Sequence, residues 1–269
     1  MFMKIEKLIG SIGRAFEERG IEALLRHSRS RVDHALKYVR RPDAAVGVAK
    51  SPLGDLLVAI TGRGIVVNHY LLDGDDLAVT IAKLRCELDL VDDPQAIDEV
   101  SEEIRRYLAG EAKALRQRVD FTLVASGFQK KVLHKLQEVP RGAVVSYQAL
   151  GAAAGAPKGA RAVGNAMHNN PVPIYVPCHR VIAAGGRIGG YGGGLPRKLQ
   201  LLRSEGFALA EKAVRLPDNV VWGHQGTQIY CRVNCRTAAR VDRARILFFA
   251  EPTDARKAGM RPCKICQTN

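Results

Sequence analysis

The sequence predicts a mixed α+β chain: a small antiparallel sheet with helices, a helical region containing a helix-turn-helix, and a separate small cysteine-rich domain. Three observations carry this. Apolar runs of strand length, split by turn signals, occupy Val46 to Tyr70; helical spacing flanks them on both sides; and four of the six cysteines crowd into the last 39 residues.

At 269 residues the chain has room for one large domain or two smaller ones. With 46% hydrophobic and 25% charged residues it sits at the globular average, which excludes global disorder, collagen and coiled coil. The net charge of +14 favours a polyanionic partner, and it is unevenly spread. Residues 46–120 carry 9 basic and 14 acidic side chains, residues 121–218 carry 13 and 4, and residues 219–269 carry 9 and 3. A nucleic-acid surface is therefore expected beyond about residue 120. No apolar run approaches the roughly 18 residues of a membrane span, and Lys4, Glu6 and Lys7 interrupt the start, so a cytoplasmic protein without a membrane partner is expected.

Along the chain, Ile5, Leu8, Ile9, Ile12 and Phe16, then Ile21, Leu24, Leu25, Val32, Leu36 and Val39, predict a basic helical extension over residues 1–45. Val46–Ala49, Leu56–Ile60 and Gly64–Tyr70, separated by Ser51-Pro52-Leu53-Gly54 and Thr61-Gly62-Arg63-Gly64, predict an antiparallel meander. Helical patterns over Leu77–Leu88 and Ile97–Ala109 complete a subdomain of residues 46–120, with Cys86 read as a core residue. In a second subdomain, residues 121–210, Ser126 reads as the N-cap of a helix over Gly127–Glu138. Helices over Ser146–Ala154 and Gly159–His168, joined by Gly155-Ala156-Pro157, predict the helix-turn-helix. Gly159, Ala160, Ala162, Gly164 and Ala166 leave its second helix almost bare, so the backbone can approach a duplex while Lys158 and Arg161 supply charge.

Gly185 to Gly194 contains seven glycines with one Arg, one Ile and one Tyr, a loop whose backbone N–H groups can lie against a ligand. It lacks the Gly-Lys-Ser/Thr ending of a phosphate loop. Upstream, Pro177-Cys178-His179-Arg180-Val181 sets a cysteine beside a histidine and an arginine, and positive charge favours the nucleophilic thiolate. By itself this leaves two readings, a nucleophile or a small buried residue. Neighbours on a strand point to opposite faces, so Cys178 and His179 need a turn or a water to communicate.

The surroundings are more specific. Pro-Cys-His-Arg-Val, Asn170-Pro171-Val172-Pro173, Arg161-Ala162-Val163-Gly164, Val145-Ser146-Tyr147-Gln148 and Tyr191 with its glycines together resemble the O6-alkylguanine-DNA alkyltransferases over about residues 46–207. The resemblance implies DNA repair by direct, irreversible transfer of an alkyl group from O6 of guanine, and from O4 of thymine, in double-stranded DNA to Cys178, with one turnover per protein and no cofactor. It implies that His179 takes the thiol proton through a water and that Glu205 orients His179. Asn170 orders the loop before the acceptor, and Tyr147 stands near the lesion base and helps protonate the leaving guanine. Arg161 enters the base stack as the damaged nucleotide flips out, with Gly159, Ala160 and Gly164 on the same DNA-binding helix. Tyr191, Gly192 and Val181 line the substrate pocket. Gly192 stands where relatives often carry a larger or polar residue; it keeps the backbone N–H expected to contact O6.

Cys231-x3-Cys235 and, 27 residues later, Cys263-x2-Cys266 form two paired knuckles, the four soft ligands that tetrahedral zinc requires. A domain of residues 219–269 with few core positions would depend on that metal. Tyr230-Cys231-Arg232, Phe248-Phe249-Ala250 and Met260-Arg261-Pro262-Cys263-Lys264-Ile265-Cys266 resemble the metal-binding domain of Ada-type proteins, which implies Cys231 as a second methyl acceptor, from DNA phosphotriesters. A purely folding role for the zinc is the competing reading, and transcription activation is not expected. For the whole chain, a monomeric suicide alkyl acceptor stands against a non-catalytic lesion-recognising DNA-binding protein with a structural zinc domain.

Overall fold

The computed structural model describes residues 41–72, 77–235 and 241–267. The expected helices between Lys4 and Val39 lie outside these residues; the extension placed over residues 1–45 ends in a strand, because β1 (Asp43–Ala49) already begins within it. β2 (Leu56–Thr61) and β3 (Gly64–Tyr70) follow, so the meander is present with slightly longer strands. β1, β2 and β3 pair antiparallel through two short turns, and the order is β3-β2-β1-β4. The fourth strand, β4 (Asp89–Val91), runs parallel to β1 and was not signalled by its three residues.

Between β3 and β4 lies α1 (Leu77–Glu87). Cys86 on this helix is exposed, which corrects its reading as a core residue: the helix buries Leu84 instead. α2 (Pro94–Leu108) starts earlier than expected because Asp93 caps it, accepting from Ala96 N at 3.1 Å, with Pro94 fitting the first turn. Ile97, Val100, Ile104 and Tyr107 form its buried stripe. The helix presses so closely on β1 that a Cβ at Gly47 would meet Ile97 Cγ1 at 2.9 Å.

The second half opens with α3 (Gly127–Gln137), capped by Ser126 through Gln129 N at 3.3 Å. β5 (Ala143–Ser146) leads directly into α4 (Tyr147–Ala153); Ser146 ends the strand and caps the helix, accepting from Ala149 N at 3.1 Å. Gly155, at φ +86°, turns the chain into α5 (Ala160–His168), which makes the expected helix-turn-helix. Its two helices meet where Gly151 has no side chain: a Cβ there would stand 2.9 Å from Ala156 O and 3.3 Å from Val163 Cγ2. β6 (Val181–Ile182) and α6 (Leu195–Ser204) follow.

The cysteine-rich segment supplies β7 (Val221–His224), β8 (Ile229–Arg232), β9 (Ile246–Phe249), α7 (Pro252–Lys257), β10 (Arg261–Pro262) and α8 (Lys264–Gln267). Its strands do not form a sheet of their own. One six-stranded sheet runs β10-β8-β7-β9-β5-β6, joined where β9 pairs antiparallel with β5 through Ala143↔Phe249, Val144↔Phe248 and Val145↔Leu247. The main core is equally continuous, holding Leu56, Val58 and Ile65 of the first sheet beside Val145, Cys178, Leu247 and Phe249. A second cluster packs Val144, Ile182, Leu199, Leu202, Phe207 and Ala250 on the opposite face. The acceptor region and the cysteine-rich segment therefore share both backbone pairing and apolar burial.

Candidate functional site

The residues before Cys178 form a tight, self-bonded loop. Asn170 accepts from Val172 N at 3.1 Å with Oδ1 and donates from Nδ2 to Val176 O at 3.0 Å, closing the loop over Ile174, whose φ is +75°. From the first sheet, Asn68 donates N–H to Pro171 O at 2.8 Å and Nδ2 to Pro173 O at 2.6 Å. Cys178 N then bonds Val176 O at 2.7 Å and the chain enters one 3-10 turn, Cys178–Arg180. That turn supplies the geometry a strand would have denied to Cys178 and His179.

His179 is completely buried, and its Nε2 lies 2.9 Å from Glu205 Oε1. Glu205, also buried, accepts from Arg180 Nε at 2.9 Å and Nη2 at 2.8 Å, and from Tyr107 OH at 2.6 Å. Arg180 also donates to Val139 O through Nη1 and to Tyr107 OH through Nη2, and the Arg141 guanidinium sits 4.5 Å over the Tyr107 ring. Burial alone would raise the Glu205 carboxyl, but His179 and Arg180 hold it well below the usual carboxylate range. Burial pushes the His179 imidazole below its ordinary value in spite of the Glu205 charge. With Glu205 ionised and acting only as an acceptor, Nε2 carries the ring hydrogen and Nδ1 holds a lone pair. Nδ1 is buried and has no hydrogen-bond partner among the described residues.

Cys178 is 9% exposed, and burial pushes its thiol up; the Asn170 amide, the Lys198 charge and the Tyr191 hydroxyl pull it back in part. The cation that acts on the thiol is thus Lys198. Of the two basic residues that the sequence sets beside Cys178, Arg180 is engaged by Glu205. Lys198 is fully buried, its ammonium donating to Val181 O and Ile188 O at 2.7 Å and Gly190 O at 3.1 Å. Burial lowers it to about 8, opposed by Cys178.

Tyr147 is half-buried, its phenol raised by burial and then by the Cys178 charge. It opens a groove of about 840 Å³ whose lining includes Lys158, Ala160, Gly186, Trp222 and Phe248. Arg161, Ala160 and the half-buried Gly164 lie on the outward face of α5, while Val163 and Ala166 hold the helix to the core; Gly159 is its N-cap. Tyr191 is half-buried and Gly192 exposed, with open space where a Cβ would stand. Val181 is fully buried and pairs with Val145, so its carbonyl, held by Lys198, is the part that shapes the site.

The four Sγ atoms of Cys231, Cys235, Cys263 and Cys266 all lie within 4.8 Å of one another. Zn–S bonds of about 2.3 Å in a tetrahedron put sulfurs about 3.8 Å apart, and Cys235 Sγ and Cys263 Sγ are separated by 3.8 Å. Cys231, 1% exposed, and Cys263 pack against Trp222, whereas Cys235 and Cys266 are half-buried. The donor set and spacing fit zinc.

Sequence reasoning did not assign Tyr107, Lys198, Asn68, Tyr70 or Arg197. Each has at least one partner 10 to 144 residues away, which no local pattern marks.

A buried cysteine with a histidine–carboxylate pair behind it, next to a helix-turn-helix, defines a DNA-directed cysteine nucleophile. The comparisons point to the same class. Residues 127–207 match the 6-O-methylguanine DNA methyltransferase DNA-binding domain, and residues 207–269 match the metal-binding domain of Ada. A methylated-DNA–protein-cysteine methyltransferase of Methanosarcina acetivorans is 35% identical over 161 residues, 59% of this chain and 96% of that protein. The crystal structure of Mycobacterium tuberculosis O6-methylguanine methyltransferase aligns with TM-score 0.51 and 34% identity over 60% of this chain and 92% of that one; that of the M. tuberculosis protein OGT in complex with DNA aligns with TM-score 0.52 and 34% identity over the same shares. The chain belongs to the methylated-DNA–protein-cysteine methyltransferase family, and its four C-terminal cysteines form a zinc site.

Proposed function

We propose that this protein repairs double-stranded DNA by moving the alkyl group of O6-alkylguanine, or of O4-alkylthymine, onto Cys178, acting as a monomer and once per molecule. The observation that carries the reading is His179: Nε2 tied to Glu205, Nδ1 buried with a free lone pair, and the ring one residue from a buried thiol. The S–H proton passes through a water to Nδ1, and the resulting imidazolium is stabilised by Glu205. The sulfur attacks the alkyl carbon, forming C–S as C–O6 breaks, and the bonding pair stays on the guanine. Tyr147 donates its phenolic proton to that guanine and is reprotonated from the His179 side. A thioether does not hydrolyse, so the acceptor is consumed. The raised thiol fits this order of events, since it keeps the sulfur protonated until a base and an electrophile are both in place.

Extrusion of the damaged nucleotide is assigned to Arg161, exposed on α5 with the bare Gly159, Ala160 and Gly164 beside it. Zinc, when bound by Cys231, Cys235, Cys263 and Cys266, cross-links β8 to the C-terminal turn; it takes no part at Cys178. The burial of Cys231 favours this folding role over methyl acceptance, which needs in-line access to its sulfur. No described helix is long and apolar enough to cross a membrane.

Incubation with an O6-methylguanine duplex followed by intact-mass measurement tests the reading. One methyl increment, lost in Cys178→Ser, is expected; no increment at saturating DNA leaves the non-catalytic DNA-binding reading standing. Methylphosphotriester DNA is expected to add nothing further, and a second increment dependent on Cys231 would reverse the assignment of the zinc site.

A further inference from the structure

The loop that bears Tyr191 has no side chains of its own with which to hold its shape. Around Tyr191 it is Gly189, Gly190, Gly192, Gly193 and Gly194, and its anchors come from elsewhere. Lys198 holds Gly190 O at 3.1 Å. A second reaches across from the first sheet, and a third lies just after the loop and ties it back to that sheet. Tyr70, at the end of β3 and 3% exposed, meets Tyr191 hydroxyl to hydroxyl at 3.0 Å, with the rings edge to face and centroids 6.0 Å apart. Arg197, at the start of α6, lies 5.1 Å over the Tyr70 ring, donates Nε to Leu53 O at 2.6 Å and Nη1 to Gly193 O at 2.8 Å. Gly193 fits against this bracket only because it lacks a Cβ, which would stand 2.6 Å from Tyr70 Cε2 and 2.9 Å from Tyr191 Cε1.

We infer that Tyr70 and Arg197 are positioning residues that set which alkyl groups Cys178 accepts, by fixing Tyr191 against the first sheet. This rests on the alkyl-transfer reading above. The physical argument is one of stiffness. A wall made of one tyrosine on a glycine-only loop can swing unless its far end is fastened, and the hydroxyl pair is that fastening. With it in place the ring cannot retreat from the acceptor, which favours a small alkyl group. Released, the ring yields to a bulky group while losing its fixed contact with a small one. The acidic first subdomain, remote from the helix-turn-helix in sequence, thereby acquires a role in substrate selection.

The test is a competition. Wild type, Tyr70→Phe and Arg197→Met are each offered equal amounts of duplexes carrying O6-methylguanine and O6-benzylguanine, and the ratio of benzylated to methylated protein is read by intact mass. Tyr70→Phe removes one hydroxyl and leaves the ring. Arg197→Met removes both carbonyl bonds and the cation over the ring, so it answers the question should the first variant not fold. The benzyl-to-methyl ratio is expected to rise about tenfold or more in the folded variants, the lower end of what one methylene is worth in an apolar pocket. A smaller rise, or a fall, overturns the inference, because simple destabilisation lowers both products together. If wild type accepts neither group, the transfer reaction itself fails and this inference falls with it; if wild type transfers and the variants keep its ratio, the inference alone fails.

Discussion

Replacing Glu205 with Gln changes one oxygen for an amide of the same shape, and the structure says what that must do. The carboxylate accepts from His179 Nε2, from Arg180 through Nε and Nη2, and from Tyr107 OH, all out of contact with water. Gln offers one acceptor oxygen and one donor NH2. If the oxygen faces Arg180, the amide N–H meets His179 and forces the hydrogen onto Nδ1, the wrong tautomer for receiving the thiol proton. If the oxygen faces His179, the amide donors oppose those of Arg180. In either case Arg180 is left buried without its counter-ion, an effect of about 3–5 kcal/mol. Its bonds to Val139 O and Tyr107 OH persist, so the lower end, about 3 kcal/mol, is expected. For a chain of this size that corresponds to a Tm lower by roughly 6–12 °C. Single-turnover methyl transfer, followed by intact mass at a temperature where the variant is folded, is expected to slow by about 100-fold. An unchanged Tm would refute the ion-pair argument. A lowered Tm with a wild-type rate would refute the histidine–carboxylate mechanism while leaving the fold argument intact.

Acid sensitivity follows from the same pair. His179 is held below its ordinary value, so the unfolded chain takes up its proton first, and stability is expected to fall as pH drops below about 6.5. Glu205 is depressed, so its contribution is present above about pH 4.5 and is lost below it; Tm measured against pH in Glu205→Gln should lack that second decline. Zinc removal by a chelator, or Cys263→Ser, should loosen β8 and β10 and, through β9 and β5, lower the Tm of the acceptor region as well; protease cleavage confined to residues beyond 219 with an unchanged main transition would disprove that coupling. Phe249→Ala, at a fully buried position where the two segments meet, is expected to cost about 3–5 kcal/mol in denaturant unfolding, and a cost below about 1 kcal/mol would show that the shared core is not formed.

The sequence alone was enough for much of this protein. The helix boundaries at Ser126 and Ser146, the meander and the helix-turn-helix were legible because caps, glycine turns and apolar periodicity are local effects written within a few residues of where they act. The four zinc ligands were legible because their chemistry demands particular residue types at short spacings, and the same kind of local signal singled out Cys178, His179 and Asn170 as candidates. What the tertiary structure decided was everything that depends on residues meeting from afar. The six-stranded sheet escaped sequence reading because strands of two to four residues carry almost no period, and β5 finds β9 a hundred residues later. Cys86 was misplaced because α1 has one buried residue and no clear face to read. The buried cation whose charge acts on Cys178 is Lys198, held by three carbonyls, while Arg180 is drawn to Glu205. Local chemistry points to the candidate nucleophile; only the packing of distant segments brings Glu205 to His179, the Lys198 charge to bear on Cys178 and Tyr70 to Tyr191.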